Sequence, residues 1–87
     1  MLDYNVFLSL EATLVFRTLP KTTQYAILSY LNYLESNPFD EGDFVSIKDP
    51  EQRDYCIKGI RKYLVAYYPD HASKEVKVTS ITKNPKA

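Results

Sequence analysis

The stretch YCIKGIRKYLVAYYPDHASKEVKVTSI, residues 55–81, decides the fold of this chain. It is rich in β-branched and aromatic residues, which favour strands. Polar segments interrupt it around Arg61 and over PDHASK at 69–74, and such segments are typical of turns between strands. The stretch therefore predicts three strands, at 54–60, 62–68 and 75–83, that form an antiparallel meander. A fourth strand is predicted just upstream, at 44–48, with a turn around Pro50 and an acidic loop at 39–43 before it.

Towards the N-terminus the apolar residues change their period. Tyr4, Val6, Leu8 and Leu10 recur at spacing two, which predicts a strand with one buried face. Ser9 is the expected N-cap of a short helix, because a serine hydroxyl can accept a hydrogen bond from the first turn. That helix ends near Pro20, and its apolar residues are Ala12, Phe16 and Leu19.

A longer helix is predicted to begin at Thr22 or Thr23 as its N-cap and to end at Asn37 and Pro38. Few residues separate it from the first helix, so we expect the two helices to form an antiparallel hairpin. The apolar stripe of the longer helix consists of Ile27, Leu31 and Leu34, widened by Tyr30 and Tyr33.

Together these elements predict an α+β fold: an N-terminal strand, a helical hairpin, then a three- or four-stranded antiparallel meander with the helices on one face. The chain has 87 residues, 45% of them hydrophobic, which suits one core and a single domain over 1–87. The lone Cys56 excludes an internal disulfide and indicates a reducing compartment. We find no signal-peptide pattern and no apolar run of about 18 residues, which predicts a cytoplasmic protein without a membrane span.

Charge is unevenly distributed, although the formal net charge is zero. Residues 1–54 carry four basic and nine acidic side chains, whereas residues 55–87 carry seven basic and two acidic ones. A basic half indicates either a surface that meets nucleic acid or a solvated face that keeps the protein soluble. A nucleic-acid binder that is basic throughout is excluded.

The meander also predicts which side chains share a face of the sheet, since successive strand residues point in opposite directions. The residues expected against the helices are Tyr55, Ile57, Tyr63, Val65 and Tyr67. The residues expected on the opposite face are Cys56, Lys58, Ile60, Leu64, Ala66 and Tyr68. A register error of one residue in a strand would move its residues to the other face.

The order of these elements resembles the RelE/ParE family of bacterial toxins over nearly the whole chain, through FRTLPKTTQYAILSYLNYLESNPF at 16–39 and the meander stretch quoted above. The resemblance implies a toxin that a cognate antitoxin binds and neutralises. RelE-like members cleave messenger RNA in the ribosomal A site without a metal, and ParE-like members poison DNA gyrase. The resemblance therefore leaves two targets open, the ribosome with its messenger RNA and DNA gyrase.

RNA cleavage needs a proton acceptor, a proton donor and positive charge at the phosphate. RelE-like members meet these needs with lysine and arginine side chains. The resemblance implies that Lys58 corresponds to the second lysine of their Tyr-Lys-x-Lys strand. Cys56 stands where that strand has its first lysine, and Leu64 stands where a Tyr-Arg-x-x-Tyr strand has arginine. The basic residue after the last strand falls near Lys83 or Asn84. The basic set that the resemblance implies is thus mostly missing.

Few basic residues remain that could serve a metal-independent ribonuclease. The candidate catalytic residues are Lys58, Arg61 and Lys83, and the candidate RNA-binding residues are Lys58, Arg61 and Lys62. Each also fits a plainer role as a solvated charge on a strand or in a turn. The single histidine, His71, and the single cysteine lack neighbours at the spacing of metal ligands, so we predict neither a metal site nor a cofactor.

The face opposite the helices suggests a different function. Its predicted apolar residues are Cys56, Ile60, Leu64, Ala66 and Tyr68, and a contiguous apolar patch usually marks a surface for a protein partner. That partner would be an antitoxin helix or a second copy of the chain, as a homodimer. Two functions stay open: a toxin with ribonuclease activity, and a non-catalytic binding module on the same fold that blocks a protein such as gyrase or has lost toxicity.

Overall fold

A computed structural model describes residues 3–47 and 54–86 of the chain. The elements in chain order are β1 (Asn5–Leu8), α1 (Leu10–Phe16), α2 (Lys21–Ser36), β2 (Phe44–Ile47), β3 (Asp54–Ile60), β4 (Tyr63–Asp70) and β5 (Glu75–Lys83). The predicted α+β class and the predicted order of elements are confirmed. The turn predicted around Pro50 lies outside the described residues.

The five strands form one sheet in the order β1-β5-β4-β3-β2. Neighbours in the meander are antiparallel, as predicted, whereas β1 pairs with β5 in parallel. The two helices pack on one face of the sheet, called here the helix face. No helix of the described ranges covers the other face, called here the open face. The sheet is therefore mixed rather than purely antiparallel, because the first strand lies beside the last and runs in the same direction.

Ser9 begins α1 as predicted. Its hydroxyl oxygen accepts a hydrogen bond from the backbone N–H of Ala12 at 3.0 Å and donates one to the carbonyl of Thr79 at 2.8 Å. The same side chain therefore caps the helix and fixes its start to β5. This contact sets the position of the helical layer on the sheet.

The N-cap predicted for α2 is wrong. The helix begins at Lys21, directly after Pro20, and neither Thr22 nor Thr23 caps it. Because the helix begins earlier than predicted, Thr23 lies within its first turn and is buried. Gln24 joins the two helices instead, since its side-chain amide donates to two carbonyls at the end of α1 and in the following loop, at 2.9 and 3.1 Å.

The core lies between the helices and the helix face. The predicted stripe of α2 is confirmed, because Ile27, Leu31 and Leu34 are all buried. The buried apolar side chains of the core are Tyr4, Ala12, Leu19, Ile27, Leu31, Leu34, Cys56, Ile60, Val65, Tyr67, Val76, Val78 and Ile81.

Among the described residues, no helix is long and apolar enough to cross a membrane.

The predicted faces are correct for β4 and wrong for β3. Residues of β4 lie as expected, with Val65 and Tyr67 fully buried. In β3, however, Cys56 and Ile60 are buried on the helix face rather than placed on the open face. Pairing shows the same arrangement, with Cys56 opposite Tyr67, Lys58 opposite Val65 and Ile60 opposite Tyr63. Tyr55 and Ile57 therefore lie on the open face, contrary to the prediction.

The cause of this error is the length of the hairpin turn. Only Arg61 and Lys62 separate the paired residues Ile60 and Tyr63, and Arg61 adopts a φ of +54°. A two-residue turn places even-numbered residues of β3 beside odd-numbered residues of β4, whereas the prediction had grouped odd with odd. A slip of one residue moves every side chain of a strand to the other face.

Candidate functional site

Lys58 lies on the helix face, near the edge of the sheet. Its ammonium Nζ is 3.3 Å from Oδ1 of Asp43, and its side chain is 33% exposed. The same Nζ lies 5.4 Å from the centre of the Tyr30 ring, within reach of a cation–π contact. Lys58, one of the three candidate catalytic residues, is thus already paired with a carboxylate and an aromatic ring.

Asp43 is held in place by the backbone of β3. Its N–H donates to the carbonyl of Ile57 at 2.7 Å, and its Oδ2 accepts from the N–H of Gly59 at 2.7 Å. The Gly59 N–H bond, followed by Lys58, holds the pKa of Asp43 below its ordinary value. The carboxylate occupies the place that a longer edge strand would take beside Gly59, because β2 pairs with β3 only up to Ile57.

Gly42 makes this arrangement possible. Its φ is +72°, and a Cβ at this position would lie 2.6 Å from the carbonyl oxygen of Ile57. A larger residue therefore has neither the backbone conformation nor the space. The glycine of the acidic loop thus brings Asp43 onto the edge of β3.

Three tyrosines and Asp40 form a second cluster beside Lys58, called here the phenol network. The Tyr67 hydroxyl donates to the Asp40 carbonyl at 2.8 Å and lies 2.6 Å from the Tyr30 hydroxyl. The Asp40 carboxylate accepts from the Tyr33 hydroxyl at 2.7 Å and from the N–H of Gly42 at 2.8 Å. The network joins the end of α2, the acidic loop and β4.

The phenol network is not tuned for proton transfer at neutral pH. Burial raises the pKa of Tyr30 to about 12, and burial followed by the Tyr30 hydrogen bond also raises the pKa of Tyr67. The Tyr33 hydroxyl, followed by the Gly42 N–H, lowers the pKa of Asp40. An efficient general acid or base has its pKa near the working pH, and these three groups are shifted away from it.

The other predicted basic residues lie at the hairpin end of the sheet, defined by Arg61, Lys62 and Lys83. All three are exposed, and the N–H of Asn84 donates to the carbonyl of Lys62 at 2.8 Å. Lys83 pairs with Tyr63 and so shares the helix face with Lys58. Two strand spacings and two residues separate their Cα atoms, a distance on the order of 12 Å. The sheet thus places the candidate cations at one end without bringing them into one tight cluster.

The open face is mostly apolar. Its side chains form three rows that run across the strands, because residues that pair on neighbouring strands point to the same side of the sheet. The first row contains Phe44, Ile57, Ala66 and Ser80. The second row contains Tyr55, Tyr68, Lys77 and Phe7. The third row contains Gly59, Leu64 and Thr82.

Exposure and charge distinguish this face from an ordinary solvated sheet. Phe7 is 50% and Phe44 is 54% exposed. Lys77 is the one cation within the described strands of this face, and it lies 3.4 Å from Asp70 and 3.8 Å from Glu75. A concave region of about 310 Å³ lies between Phe7 and Tyr68. Of the predicted partner-binding residues, the three from β4 lie here: Leu64, Ala66 and Tyr68.

A second cleft, of about 440 Å³, lies where the loop after α2 meets the end of β4. The His71 ring stacks on Phe39 at 4.8 Å, and its Nδ1 lies 2.8 Å from the Tyr4 hydroxyl. His71 lies exposed in a turn, within the polar segment 69–74 that the sequence predicts as a turn. The sequence could not show these contacts, because Tyr4 and His71 are 67 residues apart. Among the described residues, no group of three or more His, Cys, Asp or Glu side chains could hold a metal ion.

The two-helix layer and mixed five-stranded sheet define the class of fold found in the RelE toxins. The RelE–RelB complex of the archaeon Pyrococcus horikoshii OT3 superimposes with a TM-score of 0.78 at 21% identity, over 98% of this chain and 99% of that one. The isolated E. coli RelE toxin gives 0.77 at 16% identity, over 97% and 87%. A toxin–antitoxin complex from Mycobacterium tuberculosis gives 0.72 at 16% identity, over 93% and 98%.

The likeness to known proteins is structural. No family model matches the sequence, and no curated protein matches it. At these identities the superpositions establish the fold, which agrees with the resemblance seen in the sequence. The function must be argued from the side chains of this chain.

Proposed function

We propose that this chain acts in the cytoplasm as the toxin of a toxin–antitoxin pair of the RelE/ParE type and is neutralised when a cognate antitoxin binds it. Two solved neighbours of the same fold are complexes with their antitoxins, which supports such a partner. The observation that carries the proposal is the open face. Its rows of apolar side chains have no cover within the described part of the chain, and a protein partner would bury them.

Binding of protein explains the open face better than binding of RNA. RNA recognition uses cations at phosphates and exposed aromatic rings that stack on bases. On the described strands of this face the only cation is Lys77, which is paired with acidic groups. Tyr55 and Tyr68 pack edge to face at 5.7 Å, so each ring covers part of the other. An amphipathic helix or an extended segment fits such a surface.

Messenger RNA cleavage has weaker support. Cys56 and Leu64 occupy the positions where the resemblance implies cations, and Cys56 is buried. Lys58 is paired with Asp43, and the pKa of each buried phenol of the network is raised. If the chain does cleave, it is a metal-independent, ribosome-dependent endoribonuclease that relies on Lys58 and the hairpin end. The alternative is a non-catalytic module on this fold, with a protein such as DNA gyrase as its target.

Induction in a bacterial host tests the toxin proposal. The chain is expressed alone and together with a short reading frame from its own genomic neighbourhood, and growth and messenger RNA ends are followed. Growth arrest that the neighbour relieves supports the toxin. Arrest with new ends inside codons supports cleavage, whereas arrest without them points to a protein target. Absence of arrest rejects the toxin and leaves the binding module.

Replacing Leu64 with Arg tests the open face directly. The substitution places a charge in the third row, so affinity for the co-expressed antitoxin should fall by at least about 100-fold, because the complex would bury a guanidinium without a partner. The matched control is Leu14→Arg on α1, where the leucine is already 53% exposed. Co-purification and calorimetry measure both variants. Equal affinity of Leu64→Arg and the parent chain would reject the open face as the antitoxin site, and a change in oligomeric mass alone would identify a second copy as the partner.

A further inference from the structure

Lys58 stands in surroundings that are negative on balance. Its Nζ lies 3.3 Å from the Asp43 carboxylate, and its charge also helps to lower the pKa of Asp40, so a second carboxylate acts on it. Hydrogen bonds keep the pKa of both aspartates below the ordinary value of 3.8. Both are therefore ionised at neutral pH. The ammonium group is thus paired with one carboxylate and lies within the electrostatic reach of a second, and both repel a phosphate that approaches it.

The Asp43 side of its pair with Lys58 is held by the sheet, unlike the carboxylate of most surface ion pairs. A typical exposed pair gives way readily because both side chains move. Here the Asp43 carboxylate also accepts from the N–H of Gly59 at 2.7 Å, and its backbone N–H donates to Ile57 at 2.7 Å. To leave Lys58, the aspartate must also give up its bond to the edge of β3.

The rest of the positive charge nearby is accessible. Arg61, Lys62 and Lys83 are exposed at the hairpin end, and Lys83 shares the helix face with Lys58. The Lys58 side chain is 33% exposed, and its Cα lies on the order of 12 Å from that of Lys83, so a single RNA strand bound at the hairpin end is within reach of Lys58. Asp43 is the group that lies against Lys58 there.

We propose that Asp43 is a positioning residue that withholds Lys58 from the phosphates of single-stranded RNA by holding its ammonium in a neutral pair at the edge of β3. Removal of the Asp43 charge converts Lys58 into a phosphate contact. The inference rests on the proposed function only in its choice of RNA as the polyanion, which is the substrate if the toxin cleaves messenger RNA. Its test uses purified protein, whereas the toxin proposal is tested by growth, so either can fail alone.

The decisive variant is Asp43→Asn, which removes the charge and keeps a side-chain oxygen that can accept from Gly59. Binding of a fluorescent single-stranded RNA is measured by anisotropy over a range of salt concentrations. Affinity at low salt should rise about fivefold, the effect of one charge close to the surface. The slope of log K against log salt should steepen by about 0.7, as expected for one added phosphate contact.

Two further variants test whether the gain in RNA affinity comes from Lys58. Asp43→Asn combined with Lys58→Gln should lose the whole gain, because the gain depends on the released lysine. Asp70→Asn is the matched control: it removes the same charge from another ion pair, that with Lys77 at 3.4 Å, and should leave the slope unchanged. Equal gains from Asp43→Asn and Asp70→Asn, a gain that survives Lys58→Gln, or no gain at all would each overturn the proposal.

A second measurement keeps the proposal testable if Asp43→Asn does not fold. The carboxyl group of Asp43 is titrated by NMR in the parent chain and in Lys58→Gln. Since Lys58 lowers the pKa of Asp43, that pKa should rise when the lysine is removed. An unchanged pKa would show that the two side chains are not paired in solution and would overturn the proposal.

Discussion

The two faces of the sheet differ in how far their side chains are paired or buried within the described part of the chain. On the helix face the polar groups at the edge are paired: Lys58 with Asp43, and the phenol network with Asp40 and the backbone of the acidic loop. On the open face, apolar rings such as Phe7 and Phe44 remain half exposed. The face with the retained lysine therefore serves the fold of this chain, and the mostly apolar face, on whose described strands Lys77 is the one cation and is paired with acidic groups, is the one left for a partner. The predictions below test this division.

Gly42→Ala should have the largest effect. The residue has a φ of +72°, and the new Cβ would lie 2.6 Å from the Ile57 carbonyl oxygen, so the loop must leave β3. We expect a loss of about 3 kcal/mol in the free energy of unfolding, measured by chemical denaturation. Gly59→Ala is the control, since its Cβ would meet only side-chain atoms, at 3.3 Å or more, and should change stability by less than about 1 kcal/mol. Similar losses for both would show that the loop is not held on β3.

Tyr67→Phe should have the next largest effect. The substitution removes the hydroxyl that donates to the Asp40 carbonyl and meets the Tyr30 hydroxyl at 2.6 Å, and it does so in the buried part of the phenol network. The expected loss is about 1–2 kcal/mol, the usual cost of leaving buried partners unsatisfied. Tyr33→Phe removes a bond that is exposed to solvent and should cost less than about 0.5 kcal/mol. If the two variants melt alike, the network does not stabilise the fold through its buried hydroxyl.

Acid should weaken the same region to a smaller extent. The pKa of Asp40 is lowered from 3.8, first by the Tyr33 hydroxyl, so folding favours its charged form. A group with a lowered pKa contributes stability above its unfolded pKa and loses it as pH falls through the folded value. Stability should therefore decline below about pH 4, and Asp40→Asn should make that decline shallower. Parallel curves for the two proteins in denaturation series at several pH values would contradict this role.

Leu64→Arg should have the smallest effect on stability. The guanidinium can extend into solvent from the open face, so the free energy of unfolding should change by less than about 1 kcal/mol. The same denaturation measurement checks this value. A large loss would mean that the open face is part of the core, and the contrast between the two faces would be lost.

The sequence was sufficient for the elements of the fold and insufficient for the register. Periodicity located β3 and β5 to the residue, and Ser9 predicted the start of α1, because these depend on local preferences. The face of Lys58 depends on the turn at Arg61 and Lys62, whose two-residue pairing follows from a φ of +54° in an arginine. Nothing in the residue type required that conformation.

The candidate site was less predictable for a related reason. Lys58 was identified through a resemblance, but its partner Asp43 belongs to a loop that seemed only acidic. The phenol network joins residues 37 positions apart in the chain, and no local pattern links them. A glycine followed directly by an acidic residue, just before a short edge strand, is the one local indication that the loop could bond to the sheet.

The parallel pairing of β1 with β5 has a consequence for how the molecule is made. Ser9 bonds to Thr79 across 70 residues of chain, so the second edge of the sheet closes only when nearly the whole domain has been synthesised. Contacts between such distant segments form late and slow the folding of small proteins. The helical hairpin and the β3–β4 hairpin can form during translation, whereas the N-terminal strand must wait for the last one. Pulsed hydrogen exchange during refolding should accordingly protect the amides of β3 and β4 before those of β1.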